Sequence, residues 1–166
     1  MTEATRAEVE RLFDSFERSA WRLECQGTYH EPEEQEPIRR FLAGEPQDLT
    51  WFEDWPIWIR EQRAARRTIG RVRMLTNPLT DYLRFELSIT ATAVAAGEDI
   101  RLLDQAVFDS FKVPREDFWI FDDTTVALLR FDDSGLSGAE IIIEPGRVAL
   151  FRDRQRRAWD AAIPYA

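Results

Sequence analysis

Arg71-Val72-Arg73-Met74-Leu75-Thr76, continued by Asn77-Pro78-Leu79-Thr80-Asp81-Tyr82, decides how the rest of this 166-residue chain is read. The first six residues alternate apolar with polar side chains, which is the period of a strand. The next six hold the turn signal Asn-Pro and then Thr80, a natural helix N-cap. Leu79, Leu83 and Leu87 follow at helical spacing, and Tyr82, Phe85 and Ile89 widen the apolar face. A helix with so wide a face suits cover on a sheet. Ala96-Gly97-Glu98 closes it, and the β-branched residues from Ile89 to Val94 predict a break before that point. Asp99-Ile100-Arg101-Leu102-Leu103 reads as a second strand. The fully apolar Phe118-Trp119-Ile120-Phe121 reads as a third, buried on both faces. Strand, helix and strand within about 35 residues predict a right-handed crossover between parallel strands.

Outward from this unit, residues Ala106 to Glu116 are a connector holding Pro114. Thr125 to Phe131 is a strand, Asp132-Asp133-Ser134-Gly135 a hairpin turn, and Ala139 to Glu144 the returning strand. A last helix runs from about Pro145 to Ala161, with Val148, Leu150, Phe151, Ala158, Trp159 and Ala162 toward the sheet. Upstream, Thr5-x-x-Glu8 reads as a capping box. Val9, Leu12, Phe13, Phe16 and Ala20 carry the helix behind it to about Leu23. Pro37 opens a short helix through Leu42. Thr50-x-x-Glu53 is a second capping box, before Trp51, Phe52, Trp55, Trp58 and Ile59; Pro56 kinks that helix or marks its start. The expected fold class is α/β, or α+β by a looser definition. It is a mixed sheet built on a βαβ crossover plus an antiparallel hairpin, in one domain of residues 1–166. Within it, a helical segment over 1–69 precedes a βαβββα unit over 70–166.

Composition narrows the chemistry. The net charge of −9 disfavours broad nucleic-acid binding. Cys25 is the only cysteine and cannot form an internal disulfide, so a reducing cytoplasm is the expected location. Residues 1–20 carry no apolar signal region, and no apolar run is long enough for a membrane span. His30 is the only histidine and Lys112 the only lysine. A Cys25–His30 nucleophilic pair is the one histidine-based chemistry open, on weak spacing evidence. Two Cys or His residues are too few for a structural zinc site. No Gly-rich phosphate loop occurs. Six tryptophans in one small domain suit an interface.

Three places are candidate sites. In open sheets with parallel strands, ligands sit beyond the carboxyl ends. That edge is expected to carry Thr76, Asn77, Thr80, Asp81, Asp104 and Asp122, with Arg73, Arg84 and Arg101 contributing charge. Trp51, Trp55, Trp58, Arg63 and Arg67 form a candidate partner surface. Asp99, Asp104, Asp117, Asp122 and Asp123 lie near strand ends, where a magnesium site is an alternative to ordinary turn chemistry. No catalytic residue, metal ligand or cofactor is assigned.

Two resemblances attach to these residues. Arg71-Val72-Arg73, the stretch from Pro78 to Glu86, Ala96 to Arg101 and Asp117 to Asp122 resemble an actinobacterial family of uncharacterised domains. Arg22-Leu23-Glu24 and the terminal Trp159 belong to the same likeness. Members of that family are often encoded beside helix-turn-helix regulators. More weakly, residues 70–166 are similar to half of a phospholipase-D-like domain, whose catalytic members need an H-x-K motif. Residue 32, two after His30, is proline, so this chain lacks that motif. The resemblances imply a non-catalytic, cytoplasmic interaction or ligand-sensing protein with a protein partner, a helix-turn-helix regulator. Two alternatives stand beside this. One is a metal-dependent phosphodiesterase or nucleotide hydrolase using Asp104, Asp122 and Asp123. The other is a nucleic-acid binder through Arg60–Arg73, although direct contact with nucleic acid is not the favoured expectation.

Overall fold

The computed structural model describes residues 2–165. Its strands are β1 (Thr2–Ala4), β2 (Ser19–Glu24), β3 (Thr68–Leu75), β4 (Asp99–Asp104), β5 (Phe118–Phe121), β6 (Thr125–Asp132), β7 (Gly135–Ile142) and β8 (Ile163–Pro164). Its helices are α1 (Arg6–Ser15), α2 (Gln35–Leu42), α3 (Asp54–Ala64), α4 (Asp81–Ala96), α5 (Gln105–Ser110) and α6 (Pro145–Ala161). The strands form one mixed sheet in the order β1-β7-β6-β5-β2-β3-β4-β8. The fold is α+β. Among the described residues no helix is long and apolar enough to cross a membrane.

The expected crossover is present. β3 and β4 are parallel neighbours, registered from Gly70↔Asp99 to Leu75↔Asp104, and α4 bridges them. Thr80 caps α4: its hydroxyl accepts from the Leu83 N–H at 3.1 Å and donates to the Gly27 carbonyl. Thr80→Ala therefore loses an N-cap and a tie to the loop after β2. It is expected to cost about 1–2 kcal/mol in urea denaturation, with Thr80→Ser restoring most of that. The helix does not break between Ile89 and Val94. Ile89, Thr90 and Ala93 are buried there, and burial outweighs the small propensity cost of β-branching.

The N-terminal segment is not the helical prefix that the apolar spacing predicts. α1 stops at Ser15, where the C-cap Phe16 is already extended. Residues 19–24 instead become β2, in the middle of the sheet. It runs parallel to β3 and antiparallel to β5. Trp21, Leu23 and Cys25 fall on one face and Ala20, Arg22 and Glu24 on the other, the two-residue period of a strand. Arg22 and Glu24 disguise it, because charged residues are rarely buried on a central strand. The sheet thus draws strands from both 1–69 and 70–166. Smaller differences follow local chemistry. Pro56 lies in the first turn of α3, so it marks a start rather than a kink. Thr50 forms no capping box; its N–H donates to Asp48 Oδ1 at 3.0 Å within a 3-10 turn. The expected connector holds α5, and β7 begins at Gly135 (φ 99°) rather than Ala139.

The two faces of the sheet differ in chemistry. On one, Leu23, Val72, Met74, Leu103, Phe118 and Ile120 make an apolar layer under α5 and α6. On the other, Ala20, Ile69, Phe121 and Ala127 pack under Val9 of α1 and Ile59 of α3. Further along that second face, Arg22, Glu24, Arg71 and Arg73 replace the apolar side chains. There the helices do not close over the sheet.

Candidate functional site

The gap above those charged residues is a cleft of about 720 Å³. β2 and β3 supply its floor through Arg22, Glu24, Arg71 and Arg73, with Trp119 of β5 beside them. Trp55 and Trp58 of α3 form one wall, and Tyr82, Glu86, Ile89 and Thr90 of α4 another. Phe13 of α1, Tyr29, Glu34 and Phe131 complete the enclosure. Acidic Glu10, Glu33 and Asp54 stand with Arg6 at the rim.

The floor is a ladder of ion pairs. Glu24 accepts from Arg71 and, at 2.8 Å, from Arg73 Nε. Arg73 extends to Thr90 Oγ1 at 2.9 Å and to Glu86 at 3.3 Å. Arg71 also meets Glu98 at 3.2 Å, and Glu98 accepts from Trp55 Nε1 at 3.1 Å. Arg22 pairs with Asp117 at 3.3 Å. Aromatic rings hold two of these guanidinium groups. Arg71 lies 5.6 Å from the Trp55 ring centre and 5.5 Å from that of Trp119. Arg22 lies 5.9 Å from Tyr29 and 5.8 Å from Phe131. Burial opposes the charge on Glu24, but Arg73, Arg71 and Arg22 outweigh it and hold its pKa well below the usual carboxylate range.

Glu34 is the exception. It is 9% exposed, and the Tyr82 hydroxyl lies 3.2 and 3.1 Å from its two carboxyl oxygens. Burial, then a hydrogen bond and charge repulsion from Glu86, push its pKa well up. Glu34 therefore keeps its proton at neutral pH. The consequence for stability has a definite sign. Above the ordinary value of 4.5 the folded protein keeps a proton that the unfolded chain has released, so rising pH favours unfolding. Glu34→Gln cannot titrate. Its stability is expected to fall less than the wild type's between pH 5 and pH 8, the gap widening by up to about 1.4 kcal/mol per pH unit. Urea denaturation at the two pH values checks this.

Sequence-based candidates land in several places. Thr76, Asn77, Thr80, Asp81, Arg84 and Asp104 do gather beyond the carboxyl ends of β3 and β4, where their side-chain bonds are local apart from the one from Thr80 to the Gly27 carbonyl. Thr76 Oγ1 donates to the Pro78 carbonyl at 2.9 Å and accepts from the Thr80 N–H at 3.2 Å. Arg84 pairs with Asp81 in the open, and Asp104 is the exposed N-cap of α5. Arg101 lies on the opposite face, 3.8 Å from the ring centre of Trp159. Asp122 belongs to the other end of the sheet, because β5 runs antiparallel to β2. It accepts from the N–H groups of Glu17, Arg18 and Ser19 at 2.8, 2.6 and 3.0 Å. Ser19 is level with Thr68 and Asp104 with Leu75, so Asp104 and Asp122 are roughly 20 Å apart along the strand axis. Among the described residues no three His, Cys, Asp or Glu side chains gather as a metal site requires.

The tryptophans expected on an outward surface face inward. Trp58 stacks on Trp55 at 5.0 Å and meets Phe13 edge-on at 5.7 Å, while Trp51 stacks on Phe85 at 6.0 Å. Arg67 binds the Gln62 side chain at 2.9 Å and covers Phe16, and Arg63 is exposed. Arg71 and Arg73 lie in the cleft floor, so Arg60–Arg73 is not one surface patch. Cys25 is buried and its thiol donates to Asp117 Oδ1 at 2.8 Å, whereas His30 is exposed. Burial and Asp117 push the thiol pKa up, away from nucleophilic character.

Sequence reasoning missed Arg22, Glu24, Glu34, Glu86 and Glu98 as parts of one site. The signal that could have found the floor is charge in an alternating pattern: Trp21-Arg22-Leu23-Glu24 beside Arg71-Val72-Arg73, with Glu24 level with Arg73. Comparison with curated proteins gives no match. A family described as "Domain of unknown function (DUF6879)" matches residues 7–166, a span that contains every residue of the cleft except Arg6. The chain therefore belongs to the DUF6879 family.

Proposed function

We propose that this protein is a non-catalytic ligand sensor whose cleft over β2 and β3 binds a small organic molecule. The observation that carries the reading is the cleft itself. Its volume of about 720 Å³ is that of a small-molecule site. Aromatic walls enclose a few charged groups held in fixed places, which is how such sites combine affinity with orientation. Most of those charged groups are bound to one another, which suits recognition better than proton transfer. The walls come from separate elements, α1, α3 and α4, so a ligand would tie them together. The likeness of residues 70–166 to phospholipase-D-like domains fits a sensing module without the H-x-K nucleophile. The resemblance to actinobacterial domains encoded beside helix-turn-helix regulators supplies the output: a cytoplasmic transcriptional regulator that reads the ligated state.

Native mass spectrometry and thermal shift with a metabolite library test the cleft. A ligand at about 100 times its Kd should add about 2.7 kcal/mol, a rise of about 5–10 °C in Tm. Tryptophan emission should change in parallel, and Trp55→Ala should abolish both responses. A library spanning cations, anions and neutral compounds that moves neither signal would sink the reading. Pull-down of the adjacent regulator, with and without the ligand found, tests the output.

A further inference from the structure

We infer that the ligand of this cleft carries a positively charged nitrogen, which binds between Glu34 and Glu86. The inference rests on the ligand-binding reading and names the chemical class.

Three guanidinium groups of the floor stand with five carboxyl groups, of which Asp117 does not itself line the cleft. Four of those carboxyls, on Glu24, Glu86, Glu98 and Asp117, each lie in an ion pair with Arg22, Arg71 or Arg73. Glu34 lies in none among the described residues. The groups facing it are Tyr82 and Glu86 from α4 and Glu24 from β2. The nearby cation, Arg73 of β3, is already committed through all three nitrogens to Glu24, Thr90 and Glu86. The carboxyls outnumber the guanidinium groups by two, and the proton on Glu34 offsets one of them. An ammonium group would do so with directed hydrogen bonds to both oxygen sets. The same arrangement works against an anion, which would have to displace a carboxylate from an arginine and pass the acidic rim. A second acceptor is available: Glu98 is 3% exposed, lines the cleft, and its Oε2 has no hydrogen-bond partner among the described residues. The aromatic walls suit the alkyl or aryl body of an organic cation. The exchange balances as an ammonium ion entering, its N–H bonds donated to Glu34 and Glu86, and one proton leaving to solvent.

The test uses charge-matched triads on the whole chain: phenethylamine, phenethyl alcohol and phenylpropionate; tryptamine, tryptophol and indolepropionate; hexylamine, hexanol and hexanoate. Calorimetry in two buffers of different ionisation enthalpy reads affinity and proton release. The amine of at least one triad should bind tenfold or more tighter than its alcohol. Its affinity should rise toward tenfold per pH unit from pH 6 to 8, with up to one proton released. Glu34→Gln should weaken that amine at least tenfold and remove both the pH slope and the proton release. If the alcohols or acids bind as well as the amines, or amine binding releases no proton, the inference is overturned while the cleft reading stands. If no triad binds, the cation inference fails; the cleft reading falls with it only if the metabolite library is also silent.

Discussion

Glu24→Ala is expected to destabilise the protein by about 3–5 kcal/mol, the cost of leaving buried charge without its partner. For a domain of this size that lowers Tm by about 10 °C or more. The reason is that one carboxylate serves two guanidinium groups. Glu24 sits opposite Arg73 in the parallel register, and Arg71 reaches it from two residues back on the same face. Without it, Arg71 keeps Glu98 and Arg73 keeps Glu86, but two like charges face each other on a buried strand. Glu24→Gln preserves shape and one acceptor oxygen yet removes the charge, so it should cost nearly as much. The decisive comparison is the fivefold variant Glu24→Met, Arg71→Met, Arg73→Leu, Glu86→Gln, Glu98→Gln. It removes the two guanidinium groups together with all three carboxylates they pair with and should recover most of the loss, because none of these ions is then left without its partner. If the fivefold variant is as unstable as Glu24→Ala, packing rather than pairing explains the effect. The pH dependence has the opposite sign to that of Glu34. The Glu24 pKa is lowered by folding, so its contribution is present above about 4.5 and is lost as pH falls below that. Wild type should weaken with acid more steeply than Glu24→Gln.

Much of the fold is legible in the sequence because most elements obey one period each. The crossover, β5, the hairpin and α6 carry apolar patterns that packing does not contradict. β2 is the element that resists. Its apolar residues fit a continued helix through Ala20, and its other face carries charge where a buried strand is expected to be apolar. The feature that hides β2 is the one that builds the cleft, so the strand and the site are hidden together. Asp122 is hard to place for a related reason: without β2, nothing in the sequence shows that β5 enters the sheet antiparallel. Glu34, Glu86 and Glu98 sit on three separate segments and are ordinary glutamates locally. Only their convergence on the floor gives them meaning, and convergence is not written in spacing.

Asp117→Ala should rival Glu24→Ala, at about 3–5 kcal/mol. The Asp117 side chain is fully buried just ahead of β5 and binds four partners. These are Arg22 at 3.3 Å, the Cys25 N–H at 2.9 Å, the Cys25 thiol at 2.8 Å and Gln26 Nε2 at 3.3 Å. Three of them belong to β2 and the residue after it, so this carboxylate pins the end of the central strand to its antiparallel neighbour. Removing it strands the Arg22 charge between Tyr29 and Phe131 and leaves buried donors unpaired. Asp117→Asn isolates the charge from the shape. It keeps one acceptor oxygen but turns an amide N–H toward donors, so it should still cost about 2–3 kcal/mol. Burial and the Asp117 charge raise the Cys25 thiol pKa, so Asp117→Asn should lower it, read as alkylation under native conditions faster than the loss of stability alone produces. A cycle with Arg22→Met separates the two contributions: Arg22→Met with Asp117→Leu should be more stable than Asp117→Ala, since the unpaired cation is gone. If the double variant is no better, Asp117 holds the fold through the Cys25 and Gln26 bonds, and the guanidinium on the cleft floor is supported from elsewhere.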